Sequence, residues 1–286
     1  MAVDLHIHST ASDGTQTPAE IVAQAVSLGL TAIALADHDT TAGIEPALAA
    51  AEGTELIVVP ALEINTEVGA KDVHILGYYI DHTWPALQSV LDSIREKRLD
   101  RGERILEKLR SVGVELDMAV VREHAAGAAI ARPHIAAALC SIGVCETSQE
   151  AFDRFLKRGR PAFVTRYKLT PQDAIGAVLD AGGVPVAAHP GLTGDDGLIR
   201  RLIPAGLEGL EAYHVDHWPQ ATERYLALAK EFGLLITGGT DSHGPLGPKH
   251  VRIGSVRVPD DVLAPLREAA QRRRASVAHQ SGAALR

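Results

Sequence analysis

The stretch Val3-Asp4-Leu5-His6-Ile7-His8-Ser9-Thr10, followed by Thr17-Pro18-Ala19-Glu20, sets the reading of the whole chain. The first part alternates apolar and polar residues as a short strand does. The second is a helix start: Thr17 caps, Pro18 takes the first helical position and Glu20 completes a capping box. Together they make one β/α unit with His-x-His at the end of its strand. Alternate side chains share one face of a strand, so the two imidazoles can grip one metal ion.

The unit recurs along the chain. Thr31 to Ala36 reads as a second strand, Ala42 to Gly53 as a helix, Glu55 to Leu62 as a third strand and Asp72 to Ile80 as a fourth. Farther on, Pro161 to Thr165, Val184 to Ala188, Leu207 to Tyr213 and Leu234 to Thr237 read as strands. A helix from Thr170-Pro171 to Gly182-Gly183 separates the first two. These strands are mostly apolar, as parallel strands covered on both faces are.

The middle differs. From Pro85 to Gly113 the apolar residues Leu87, Val90, Leu91, Ile94, Ile105, Leu106, Leu109 and Val112 recur at helical spacing, with charges between them. Pro133 to Ile142 and Ser148 to Lys157 read as two more helices. The expected fold class is therefore α/β. A (β/α) barrel domain over 1–84 and 159–286 explains the alternation better than an open sheet, although the pattern alone does not separate the two, and it is interrupted at 85–158 by an all-helical insertion expected to cover the active site.

With 286 residues, 46% of them hydrophobic and 22% charged, the chain is an ordinary globular one. Two cysteines are too few for a disulfide framework, and the start MAVDLHIHST has no basic leader with an apolar run. A cytoplasmic protein is expected. No apolar run is long enough to cross a membrane. A net charge of −8 argues against binding duplex DNA, but leaves room for a small anion in a locally positive site. No motif speaks to oligomeric state. The unusual entry in the composition is 13 His.

The unusual polar residues gather at strand ends. His6 and His8 follow the first strand, with Asp13 in the loop beyond. Asp37-His38-Asp39 ends the second, Glu63 the third, and His74 lies in the fourth. His189-Pro190 closes the Val184 strand, and Asp241-Ser242-His243 follows the Leu234 strand after two glycines. In α/β barrels the C-terminal strand ends carry the chemistry, so residues far apart in sequence can surround one small volume. Imidazole with carboxylate suits Zn²⁺, Mn²⁺ or Fe²⁺. Nine such groups are too many for one ion and enough for two or three. Asp37 and Asp39 also fit a bracing role beside His38. His82, His124, His250 and His279 read as ordinary hydrogen-bonded histidines.

These blocks, in this order, resemble the PHP (polymerase and histidinol phosphatase) family of metal-dependent phosphoesterases. The resemblance rests on Asp4-Leu5-His6-Ile7-His8-Ser9, Ser12-Asp13-Gly14 and Ala36-Asp37-His38-Asp39-Thr40. It continues through Pro60-Ala61-Leu62-Glu63, Val73-His74-Ile75-Leu76-Gly77, Ala188-His189-Pro190-Gly191 and Gly238-Gly239-Thr240-Asp241-Ser242-His243-Gly244. It implies a distorted (β/α)7, TIM-like barrel. It also implies two or three divalent ions: one on His6, His8, Glu63 and Asp241, a second on Glu63, His74 and His189, and a third on Asp13, His38 and His243.

The insertion resembles that of a subgroup of nucleoside 3′,5′-bisphosphate phosphatases and 5′→3′ exoribonucleases, through Ile130-Ala131-Arg132-Pro133-His134-Ile135, Arg158 to Val164 and His217-Trp218-Pro219. The implied reaction is removal of a 3′-phosphate from a nucleoside 3′,5′-bisphosphate. A water between two ions would lose its proton near neutral pH and attack phosphorus. Asp13, His38, Asp241, His243 and His217 are the candidate catalytic residues. Arg132, Arg160, His134 and His217 are the candidate phosphate contacts, with guanidinium forks suited to that task. The alternatives are exonucleolytic trimming of short RNA, another small phosphate ester of the histidinol-phosphate kind, and C–N hydrolysis by an amidohydrolase.

Overall fold

The computed structural model describes residues 2–69, 71–125, 130–165, 169–247 and 250–283, with side chains to 275. The chain forms two compact units, Met1–Val90 with Leu169–Arg286, and Leu91–Lys168.

The strands of the first unit are β1 (Ala2–Ile7), β2 (Ala32–Leu35), β3 (Ile57–Val68), β4 (Lys71–Tyr78), β5 (Val184–Ala187), β6 (Gly209–His214), β7 (Leu235–Gly239) and the short β8 (Val258–Pro259). They lie in one sheet in the order β7-β6-β5-β4-β3-β2-β1-β8. Beyond β7 the chain returns to β1. The Asp241 N–H donates to the His6 carbonyl (2.8 Å) and the His8 N–H to the Ser242 carbonyl (2.9 Å). The sheet thereby closes, nearly completely, into the distorted barrel of seven main strands that the resemblance implied.

In chain order the helices are α1 (Pro18–Ser27), α2 (Ile44–Ala51), α3 (Pro85–Ser111), α4 (Met118–Ala125), α5 (Arg132–Ser141) and α6 (Ser148–Ala151). There follow α7 (Pro171–Asp180), α8 (Pro190–Thr193), α9 (Asp196–Leu202), α10 (Pro219–Phe232) and α11 (Leu263–Ala283). The capping box at Thr17 forms: Glu20 N–H donates to Thr17 Oγ1 (3.3 Å) and Thr17 N–H to Glu20 Oε2 (2.8 Å). Thr170 and Asp173 repeat it at α7. One apolar cluster joins Val3, Leu5, Ala34, Val59, Leu76 and Val186 of the strands to Leu266, Ala269 and Ala270 of α11. A second packs Ile7, Ile33 and Leu35 with Ile21, Val22 and Ala25 of α1. Each fully buried Leu or Ile contributes about 1.5–3 kcal/mol relative to its exposed state.

Two expectations need correction. Glu63 does not end its strand, and the sheet is not all parallel. β3 continues five residues past Glu63, turns tightly at Gly69 (φ 64°) and returns as β4, antiparallel to both β3 and β5. A parallel return would have needed a crossover of a dozen residues, and only a turn is present. The reversal still delivers His74, because the early part of β4 pairs with the late part of β3, His74 opposite Asn65.

Pro161 to Thr165 is not a strand either. Ala162 and Val164 are buried in the core of the second unit, with Ile105, Leu109, Val121, Ile135, Leu139, Phe155 and Leu156. Lys108 Nζ donates to the Phe163 carbonyl (2.7 Å) and Arg101 Nε to the Val164 carbonyl (3.0 Å), occupying acceptors that a neighbouring strand would have used. The second unit therefore runs on to Lys168 rather than ending at 158. It holds most of α3, all of α4 to α6, and a wide π-helical turn at Phe152–Leu156.

Candidate metal centre

The nine expected groups converge in the first unit. His6 and His8 leave β1 with their Nε2 atoms 3.1 Å apart, and Glu63 Oε2 lies 3.4 Å from each. Asp241 Oδ1 is 3.0 Å from His8 Nε2 and 3.7 Å from His6 Nε2. Groups bonded to one ion at about 2.0–2.2 Å lie roughly 3.0–3.6 Å from one another, so these four atoms fit the corners of a cation site. The donor chemistry agrees. His8 Nδ1 is buried with no hydrogen-bond partner, as an atom awaiting an ion would be.

Glu63 is the hub. Its Oε1 lies 2.8 Å from His74 Nδ1 and 3.0 Å from His189 Nε2, and its Oε2 2.9 Å from His38 Nδ1. His8, Asp13, His38 and His243 form another group whose donor atoms all lie within 4.8 Å of one another. His243 Nε2 is 3.4 Å from Asp13 Oδ1. The three implied groupings are thus each brought together, with His38 lying between Asp13 and Glu63 and able to serve either side.

Charge follows from this crowding. Burial alone raises the Glu63 carboxyl, but His38, His74 and His6 outweigh it and hold the group well below the usual carboxylate range. Asp13 and Asp241 are lowered in the same way: burial opposes, and the facing imidazoles prevail, those of His243 and His38 at Asp13 and those of His214 and His8 at Asp241. Burial lowers His8, and the neighbouring His38 lowers it further. His38 is itself pushed up to about 9, because Glu63 and Asp13 outweigh its desolvation. The metal-free cluster therefore holds protons that an incoming cation must displace.

The surrounding loops are fixed by carboxylates. Asp37 accepts from Ser9 N–H (2.7 Å), Ser9 Oγ (2.7 Å) and Ser12 Oγ (2.6 Å), which sets the loop that carries Asp13. A Cβ on Gly14 would run into the His8 carbonyl, so that turn admits only glycine. Asp39 accepts from Asn65 N–H (2.9 Å) and Nδ2 (3.0 Å) while Asn65 Nδ2 lies 3.1 Å from His38 Nδ1. Asp4 accepts from Thr240 N–H (2.9 Å), Thr240 Oγ1 (2.7 Å) and Gly254 N–H (2.9 Å), fixing the approach to Asp241. Asp39, His189 and Asp241 all have positive φ, at 53°, 25° and 52°, a strained backbone that recurs where function fixes side-chain direction.

The sequence left Asp4, Asn65, Glu211 and His214 without a role. Glu211 had a readable signal, an acid in the middle of a mostly apolar strand. Of the ordinary histidines, His82 bonds Glu45, His124 bonds Ser141 and His250 bonds the Pro245 carbonyl. The side chain of His279 lies outside the described residues.

Three of the four expected phosphate contacts, His217, His134 and Arg132, have other partners in this structure. His217 donates from Nδ1 to the Ala212 carbonyl (2.9 Å) and accepts at Nε2 from Gly191 N–H (3.0 Å), so both ring nitrogens are engaged. In the second unit His134 Nδ1 accepts from Ala131 N–H (3.2 Å), capping α5. Arg132 reaches the Leu156 carbonyl (3.4 Å) and lies over the Phe152 ring, while Arg160 is exposed.

A family model of the PHP domain matches residues 4–157. A 3′,5′-nucleoside bisphosphate phosphatase of Chromobacterium violaceum is 35% identical over 85% of this chain and 87% of that protein. A 5′-3′ exoribonuclease of Haemophilus influenzae is 34% identical over 85% and 90%. A structure from Bifidobacterium adolescentis, described by inference as a metal-dependent phosphoesterase, superposes with TM-score 0.81 at 34% identity over 93% and 96%. With that similarity along its length and this cluster at its centre, the chain belongs to the PHP-domain family and is a metal-dependent phosphoric ester hydrolase.

Proposed function

We propose that the protein removes the 3′-phosphate of nucleoside 3′,5′-bisphosphates, with two or three divalent ions of the Mn²⁺, Zn²⁺ or Fe²⁺ kind. One ion is assigned to His6, His8, Glu63 and Asp241, a second to Glu63, His74 and His189, and a third to Asp13, His38 and His243. The observation that carries this reading is the convergence of all nine side chains around the buried Glu63 carboxylate. The choice of substrate draws on the bisphosphate phosphatase relative.

Such ions, when bound, lower the pKa of water and offset the negative charge that builds on phosphoryl oxygens in the transition state. The chain's own residues do the rest. Glu63 spans neighbouring groups with its two oxygens, so displacing it disturbs more than one ligand set at once. Asp13 is the half-exposed member of the cluster and the group best placed to meet substrate. His217 is assigned a bracing role at Gly191, next to the His189 loop, in place of proton donation. Arg132, His134 and Arg160 are retained as phosphate contacts on the strength of the motif resemblance. Among the described residues no helix is long and apolar enough to cross a membrane, and both cysteines are free, which suits a cytoplasmic setting.

The test is phosphate release from a panel of nucleotides by Mn²⁺-loaded protein, with adenosine 3′,5′-bisphosphate expected to be the best substrate. Loss of preference for the 3′-phosphate sinks the substrate assignment. Processive release of mononucleotides from a 5′-labelled oligoribonucleotide, at a higher rate than from the bisphosphate, would replace it with the exoribonuclease reading that a second relative favours.

A further inference from the structure

β6 contributes none of the nine groups, yet two of its side chains, Glu211 and His214, are buried against them. In a regular strand, residues three apart point to opposite faces. Here the register slips: Glu211 pairs with Thr237 while Tyr213 pairs with Gly238, two steps on β6 for one on β7. That extra residue resets the alternation and turns both Glu211 and His214 toward the cluster, the re-aiming for which bulges recur beside functional sites. The slip depends on Gly238, because a Cβ there would collide with Tyr213.

Glu211 is fully buried and meets two ligands at once. Its Oε1 accepts from His6 Nδ1 (2.9 Å), and its Oε2 accepts from the His189 backbone N–H (2.7 Å). The first contact places a proton on Nδ1 of His6, so that Nε2 is the nitrogen left for an ion. The second holds His189 at its strained φ of 25°. His214 treats a third ligand similarly. Its Nδ1 accepts from Asp216 N–H (3.1 Å), which assigns the proton of the neutral ring to Nε2. That buried Nε2 has no hydrogen-bond partner and faces Asp241 Oδ2 at 3.6 Å, on the carboxylate whose Oδ1 faces His8.

We infer that β6 is a ligand-orienting strand, on which Glu211 and His214 position His6, His189 and Asp241 for metal binding without binding the ion themselves. The inference rests on the metal-site reading above. Carboxylates behind metal-bound histidines fix tautomer and orientation, and their loss typically weakens metal binding about 10- to 100-fold. Glutamine at 211 has one acceptor oxygen where glutamate has two, so it can satisfy His6 or His189 but not both.

The experiment titrates Mn²⁺ into the metal-free full chain and counts free ion by electron paramagnetic resonance, for the parent, Glu211→Gln and His214→Gln. Far-UV circular dichroism reports folding of each. The expected result is stoichiometric binding by the parent and affinity about 10- to 100-fold weaker in Glu211→Gln with the fold retained. A smaller loss of the same sign is expected in His214→Gln. Variants that bind Mn²⁺ within twofold of the parent overturn the inference, as does loss of fold in both variants, which would make the residues merely structural. A parent that binds no Mn²⁺ overturns the metal-site reading and this inference with it.

Discussion

The helical unit and the mouth of the barrel both bury side chains completely, but of opposite character. In the helical unit the interior is Ile105, Leu109, Val121, Ile135, Leu139 and Leu156, and the charged residues lie outside it as exposed pairs such as Arg154–Glu150 and Lys157–Asp153. In the barrel mouth the interior is His6, His8, Glu63, Glu211 and His214. Burying a carboxylate costs several kcal/mol unless partners offset it, so such a cluster is not how a fold gains stability. The helical interior is there to fold. The barrel mouth is held together by the fold, and its groups are left in need of cations.

The sharpest test of that contrast is to neutralise the hub. Glu63→Gln or Asp241→Asn should lower kcat/KM on the order of a thousandfold or more, because several kcal/mol of transition-state stabilisation go with a metal ligand. Far-UV circular dichroism should stay that of a folded protein. Retained turnover in either variant breaks the comparison at its base.

The converse substitution lies in the helical interior. Leu139→Ala should cost about 2–5 kcal/mol of stability, seen as a lowered denaturation midpoint, through a cavity the helices cannot fully collapse. The Mn²⁺ affinity of the folded fraction should not change.

Arg132→Ala asks whether the helical unit takes any part in chemistry. If Arg132 holds a phosphate, KM should rise by about 10- to 100-fold, the size of a charged hydrogen bond of about 1.5–3 kcal/mol. An unchanged KM would confine substrate recognition to the barrel.

The last expected effect is on pH dependence. His38, held at about 9 by Glu63 and Asp13 against its burial, is protonated at neutral pH in the metal-free protein. A cation must expel that proton, so affinity should rise with pH and level off near the His38 value. The expected slope between about pH 6.5 and about 8.5 is close to tenfold per unit for each proton released. Mn²⁺ dissociation constants across that range decide it, and a flat profile would mean that His38 is not a ligand.

Much of this was legible in the sequence because it is local. The Thr17 capping box and the Thr170-Pro171 start announced α1 and α7, and histidine and acid at or near successive strand ends announced the centre. What failed was whatever depended on a neighbour. The reversal of β4 is invisible in its composition, since an apolar strand reads alike in either direction. Ala162 and Val164 alternate like strand residues, but they fill a helical core, and only the helices around them say so. Asn65 is an unremarked polar residue until Asp39 and His38 lie beside it.

By itself the sequence determined which residue types were available, nine imidazoles and carboxylates, and hence the class of chemistry. Only the tertiary structure decided how they are divided and aimed. Glu63 became the hub because β3 runs on beyond it into a hairpin that brings His74 alongside. Glu211 and His214 entered the site through a one-residue slip between β6 and β7. The physical reason is one of range: caps and periodicities are set by covalent neighbours. The direction of a buried side chain, by contrast, is set by strand register, which forms only when strands distant in sequence pair.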